Sequence, residues 1–426
     1  MSTVLEKNNL LLNFEEKFKP NVFNSEIDLI RKNSFEKFSA QGFPTKKSEE
    51  YKYIPVEKHL MVELSVEEQN FTKSNYKVSK TFETAIDLSI VNGNLQVENE
   101  IDTKQFYIST IQQAIKKHPE LINQFYLKAT TDSQDSFALL NNAFANDGCF
   151  IYIKKSAVIE SPILLNHFVD ANSTFINQRT LVVVEENAIC TIYENIESAN
   201  VATTIYNGVS EIFVNQNANL QHIKFEQSNK NLVVINNQET VQSKKSVASN
   251  FTITINGGLT RNNTCIRLND EHIESHLYGV YVANNESIID NHTLVDHRFP
   301  NCNSNELYKG IANDKATTVF NGKIFVRKDA QKTNAFQSNK NILMSDDATV
   351  NTKPQLEIYA DDVKCSHGTS TGKLDENALF YLKARGIGEL SAKKLLLQAF
   401  VNETCEPIQQ EDIREYILNA LHASIV

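Results

Sequence analysis

Five segments of this chain share one pattern: three mostly apolar residues, two spacers, then Ser, Asn or Asp followed directly by Ala. They are Ile151-Tyr152-Ile153 to Ser156-Ala157, Val182-Val183-Val184 to Asn187-Ala188, Ile212-Phe213-Val214 to Asn217-Ala218, Ile324-Phe325-Val326 to Asp329-Ala330, and Ile342-Leu343-Met344 to Asp347-Ala348. A short strand closed each time by the same polar turn and the same small residue is one corner of a coiled β-solenoid, in which every coil must turn alike to land on the coil before it. A β-sandwich also spaces its strands closely, but it does not require one turn chemistry at a fixed offset from each strand. With about 20–25 residues per coil and strands about 4.8 Å apart, residues 149–372 are expected to form a mainly β rod. It would have roughly ten coils and a length on the order of 45 Å.

The flanks read differently. In the first sixty residues Leu10, Leu11, Phe14 and Phe18, then Ile27, Leu29, Ile30, Phe35 and Phe38, recur at helical spacing, with breaks at Pro20 and Pro44. Ile90 to Leu95 reads as a hairpin around Asn92-Gly93. Helical spacing returns over 112–127 and 136–146, so residues 1–148 form a mixed, mainly helical region. Residues 373–426 form a helical domain: Asp375 is placed to cap a first helix that stops before Gly386, a second opens near Ser391, and a third runs from Glu411 to Leu421. Their apolar stripes need a surface to cover, and the open end of the rod is the expected one.

A net charge of −10 lacks the basic face that a nucleic-acid grip needs. No apolar run reaches the roughly 18 residues of a membrane span, and the N-terminus does not read as a cleaved leader. Cys149, Cys190, Cys265, Cys302, Cys365 and Cys405 lie singly, without the paired spacing of a zinc or redox motif, which fits a reducing cytoplasm.

Lys323–Arg327 and Gln355–Tyr359 read as short strands bounded by Asn-Gly and Lys-Pro breakers. Val363, Cys365 and His367 follow at a spacing of two, so in an extended segment the thiol and the imidazole share one face. By spacing alone, such a pair is either a small core thiol beside a hydrogen-bonded imidazole or half of a metal-ligand set. His222, His272, His276, His292 and His297 lie on or near earlier strands and read mainly as surface or satisfied core groups. Gly368 to Leu374 looks superficially like a phosphate-binding loop, but it is one residue short and has Leu374 where a magnesium-binding hydroxyl belongs. Neither a nucleophile elbow nor a zinc-protease helix nor a dinucleotide fingerprint is present.

The runs NGKIFVRKDAQKTNAFQ (321–337), KPQLEIYADDVKCSHGTSTG (353–372) and LDENALFYLKARGI (374–387), with Leu343 to Val350, resemble the SufD branch of the SufB/SufD family of SUF iron–sulfur assembly scaffolds. Sparser similarity continues through Phe144 to Gly148, Gly42 to Lys46 and Glu50 to Tyr53, with Tyr51 where the family pattern leads one to expect Trp. The resemblance implies a right-handed parallel β-helix and a non-enzymatic scaffold. It implies pairing through the last coils with a SufB-like subunit, self-pairing being the alternative when that partner is absent, and docking of a SufC-like ATPase on the C-terminal helices. No cluster would be held firmly by the isolated chain. A transient iron–sulfur cluster would be shared across the interface, with His367 the stronger donor and Cys365 the weaker. The sister SufB-like subunit is disfavoured because the strand reads Cys-Ser-His-Gly, without flanking glutamates. A polysaccharide-acting β-helix enzyme is disfavoured because no export signal is read.

Overall fold

The computed structural model describes residues 2–66, 82 and 85–425 of the chain. Two ten-stranded sheets, parallel except for antiparallel strands at their N-terminal ends, face each other across a shared interior. Successive strands of the chain alternate between the sheets, and strand partners lie 26 (Val233↔Leu259) to 32 (Thr317↔Thr349) residues apart. This is a parallel β-solenoid of about eight turns, each turn carrying one strand in each sheet. The expectation of ten coils fails because each turn takes 26 to 32 residues, more than the length assumed. Four of the five motif copies lie in one sheet, whereas Ile342-Leu343-Met344 lies at the end of Asn334–Leu343 in the other, so its 18-residue offset from Ile324 measures half a turn.

The corners show why the turn chemistry repeats. Ser156, Asn187, Asn217, Lys245, His272, Asn301 and Lys332 all hold φ between 55° and 61°, the left-handed region that a short polar side chain tolerates best. Each is followed by a buried residue: Ala157, Ala188, Ala218, Ser246, Ile273, Cys302 and Thr333. Backbone hydrogen bonds continue around the bend, as from Ser156 N to Glu186 O (2.8 Å) and from Asn187 N to Gln216 O (3.0 Å). After Val326 the left-handed residue is Lys332 rather than Asp329, because that corner is three residues longer.

The hairpin around Asn92-Gly93 forms, with Ile90 opposite Leu95 and positive φ at both turn residues, and its first strand joins the first sheet beside Ile163–Val169. Helices Ser2–Lys17, Ser25–Gln41 and Ser136–Phe144 cover the outer face of the second sheet, where Phe14, Phe38 and Phe137 pack with Phe175, Ile205, Val233 and Leu259. The C-terminal helices do not close the end of the rod. Glu389–Cys405 and Glu411–Ser424 lie along the outer face of the first sheet, burying Leu397, Val401, Ile413, Ile417 and Leu421 against Phe225, Phe251, Ile253 and Val280. Their stripes cover a flank because the outward-facing residues of that sheet are aromatic and aliphatic. The buried Lys309 fixes the arrangement by donating from Nζ to Phe400 O (2.7 Å) and pairing with Glu403. Among the described residues, the last strand of each sheet, Thr349–Ile358 and Lys364–Gly372, is left with an unpaired edge.

Inside, neighbouring coils of the first sheet interlock. A Cβ on Gly279 would sit 2.1 Å from the ring of Tyr308, and one on Gly310 2.0 Å from the ring of Tyr281, so each tyrosine fills the space a neighbouring glycine leaves. The Tyr281 hydroxyl donates to Asn341 Oδ1 (2.6 Å). The interior also carries charge. Burial pushes the Glu194 carboxyl up, but Lys224 and His222 overcome this and hold it low; His222 Nε2 lies 3.1 Å and Lys224 Nζ 3.6 Å from it. Glu306 has no such cation. Burial pushes it up to about 7, against the hydrogen bond from Gln337 (2.7 Å).

Two tests follow from this interior. Gly310→Ala should lower the melting temperature, as overpacking costs roughly 1–3 kcal/mol, whereas Gly368→Ala, whose new Cβ would meet nothing within 4 Å, should not. Because its folded-state pKa is raised, Glu306 keeps its proton where the unfolded chain has lost it, so a penalty of at most roughly 3 kcal/mol develops as pH climbs from about 4.5 to about 7. Glu306→Gln should therefore raise the melting temperature at pH 8 and change it little at pH 5.

Candidate functional site

The strand Lys364–Gly372 follows from its residues: a small, hydroxylated and uncharged run, Cys-Ser-His-Gly-Thr-Ser-Thr-Gly, able to lie flat against its neighbour. It pairs in parallel with Asn334–Leu343, setting Ala335 beside Cys365, Gln337 beside His367 and Asn339 beside Thr369. Cys365 turns inward and packs against the cluster of Ile324, Val326 and Ala335. His367 and Thr369 share that face by alternation, and the Thr369 hydroxyl donates to Thr352 Oγ1 of the opposite sheet (3.2 Å). The thiol and imidazole therefore stand side by side, about 6.6 Å apart along the backbone, at the uncovered mouth of the solenoid. Cys365 is half-buried and its thiol is pushed up by burial, whereas His367 is exposed.

The flanking strands are longer than the sequence reading allowed. Thr317–Val326 and Thr349–Ile358 each run ten residues straight through the supposed breakers Asn321-Gly322 and Lys353-Pro354. Gly322 is not a turn residue: a Cβ there would lie 2.2 Å from Gln337 Nε2 across the interior, so the glycine makes room for that amide. Pro354 is tolerated because its strand is an edge.

The structure does not gather the other histidines here. His222 is a buried partner of Glu194, and the equally buried His297 lies 2.9 Å from Ser304 Oγ through Nε2. His272 is the left-handed corner residue of its turn. His276 stacks on Tyr278 on the outside of the first sheet. Among the described residues no three His, Cys, Asp or Glu side chains converge to hold a metal ion. A four-ligand cluster iron could take from this mouth one thiolate and one imidazole, half of a set.

A second constellation was not legible in the sequence. His292 Nδ1 lies 3.1 Å from Glu50 Oε2 and its Nε2 lies 2.9 Å from Asp290 Oδ1. Arg261 pairs with Asp290, donates to the Glu50 carbonyl and stacks 4.0 Å over the ring of Tyr51. Burial pushes the Asp290 carboxyl up, but His292 and Arg261 hold it below its usual range. Tyr51 keeps the cation–π contact that a Trp would make, and its hydroxyl also donates to Asp135. This clasp ties the segment after Gly42 to the solenoid, and Lys353 extends it to the last coil by pairing with Glu49 (2.7 Å). The signal in the sequence was the pair of motifs, Glu50-Tyr51 and the His292 strand, but nothing linked them at a separation of more than 200 residues.

Comparison with known proteins agrees with this architecture. Residues 167–400 match the family model described as SUF system FeS cluster assembly, SufBD core domain, and residues 11–165 match that of the SufBD protein N-terminal region. An iron–sulfur cluster assembly SufBD family protein of Synechocystis is 32% identical over 293 residues, 66% of this chain and 65% of that protein. The iron–sulfur cluster assembly protein SufD of Escherichia coli is 29% identical over 385 residues, 88% of each chain. Protein ABCI7 of Arabidopsis thaliana, a chloroplastic protein, is 28% identical over 92% of this chain and 85% of its own length. With more than half of its length in the core domain and most of the rest in the N-terminal region, this chain belongs to the SufBD family of the SUF iron–sulfur cluster assembly system.

Proposed function

We propose that this chain is a SufD-type, non-catalytic scaffold subunit, which docks a SufB-like solenoid on its last coil and a SufC-like ATPase on its C-terminal helices. The observation that carries the reading is the bare edge of Lys364–Gly372, which bears Cys365 and His367. Proteins ordinarily protect a sheet edge with charge, proline, a bulge or a cover. Between Lys364 and Lys373 this edge has none of the first two, and helices Glu389–Cys405 and Glu411–Ser424 lie elsewhere. Pro354 makes the neighbouring edge the poorer template, so strand addition favours the one with the thiol and imidazole. A partner strand laid there would bring the missing donors to Cys365 and His367 and close the mouth over a nascent cluster, which is the cargo of the site.

The C-terminal surface supports the second contact. Helix Glu376–Ala384 has no buried residue, and Phe380, Tyr381 and Leu390 are 73%, 57% and 64% exposed, an apolar patch on one side of the solenoid. An ATPase seated there would pass its closure to the solenoid through helix Glu389–Cys405 and the Lys309 anchor. The six cysteines are free thiols, in keeping with a reducing cytoplasm. Without a SufB-like partner, the same edge can accept a second copy of this chain.

Co-purification from the native cytoplasm should recover a SufB-like subunit and an ATPase with the tagged chain; recovery of neither would contradict the reading. His367→Ala should fold and assemble normally yet lose roughly 10–100-fold in cluster yield on anaerobic reconstitution, with Cys365→Ser milder. A destabilised His367→Ala chain whose complexes carry normal cluster would return the histidine to a packing role. Phe380→Glu should abolish ATPase recovery while leaving the melting temperature unchanged.

A further inference from the structure

We propose that Gln337, held in place by Glu306, is the positioning residue that orients the His367 imidazole in the shared site; this rests on the reading of His367 as a ligand given above. The three residues occupy one inward-facing column of the first sheet, Glu306 beside Gln337 and Gln337 beside His367, on successive strands about 4.8 Å apart. Glu306 and Gln337 are both buried. Gln337 Nε2 donates to Glu306 Oε2 (2.7 Å), which commits the amide nitrogen to the coil below and directs Oε1 away from it. Oε1 is buried and accepts no hydrogen bond in the isolated chain.

A buried amide oxygen without a donor is costly, and the cross-wall packing shows that the amide has a place made for it. Gly322, on the opposite sheet, leaves open the space that the Gln337 amide fills, since any Cβ there would lie 2.2 Å from Nε2. His367 is the next residue of the column, and its ring, exposed in the free chain, carries an N–H able to use this oxygen once a partner covers the mouth. Ligating histidines are fixed in tautomer and ring angle by donating their second N–H to such an acceptor. The column supplies that acceptor, and Glu306 keeps it pointing the right way.

The test uses the complex of this chain with its SufB-like and ATPase partners, and cobalt(II) as a spectroscopic probe of the site. Gln337→Leu and Glu306→Leu should each weaken cobalt binding by about tenfold and alter its d–d absorption, with subunit recovery unchanged. Glu306→Gln, whose amide oxygen still accepts from Gln337, should stay near the wild type. That rescue separates positioning from bulk or charge in the core. If Gln337→Leu fails to fold, the contrast between Glu306→Leu and Glu306→Gln decides alone. Wild-type binding by both leucine variants, with binding lost in His367→Ala, would overturn the positioning role and leave the ligand reading standing. Unchanged binding in His367→Ala would overturn both.

Discussion

Everything in this molecule depends on the parallel hydrogen-bonded register between coils. A strand in such a ladder is satisfied only if the chain returns to it one turn later in the same direction, and the left-handed corner residues from Ser156 to Lys332 make that return possible. Asparagine serves three of those seven corners; lysine and histidine serve three others at a conformational cost that the stacked turns hold in place. Because the register is continuous, each side chain stands in a column, and the columns carry charge and amides as well as aliphatic packing. The same rule creates the functional end, since a ladder that stops without a cap must present a row of unused backbone groups.

Much of this was legible from the residues. The repeated turn chemistry identified a solenoid, and the period-two spacing of Cys365 and His367 placed both on one face, where the structure puts them. The capping role of Asp375 was equally plain: its Oδ1 accepts from Asn377 N (2.8 Å) and Ala378 N (3.2 Å). What failed did so because tertiary context overrode local signals. Asn321-Gly322 and Pro354 are turn formers by propensity, yet one glycine yields its space to a glutamine from the opposite wall and the proline sits on an edge. The coil length was misjudged because a general figure of about 20–25 residues was assumed, although the spacing of Ile151, Val182 and Ile212 is already one full turn. The C-terminal helices were expected on the rod end because sequence shows that a stripe is apolar and not which surface it meets.

The interior carries buried polar groups in two different states. Glu194 is matched by Lys224 and His222 and behaves as a satisfied buried ion. Glu306 is not matched by a cation, and it lies two strands from the mouth in the column that ends at His367. On the outer face, the Glu50–His292–Asp290 clasp and the Glu49–Lys353 pair brace the N-terminal region against the last coils. The candidate site is thus supported from below by the core and from the side by the N-terminal region, while its upper face is left uncovered among the described residues.

The central claim, that Lys364–Gly372 is an unpaired edge completed by a partner strand, is tested most directly by amide hydrogen exchange on that segment. In the isolated chain, amides of Lys364–Gly372 that face away from Asn334–Leu343 should exchange fast, and in the complex with a SufB-like subunit they should become strongly protected, while those of the buried strand Asn303–Ala312 stay unchanged. Equal exchange of the edge amides in the free and assembled chain would contradict the account.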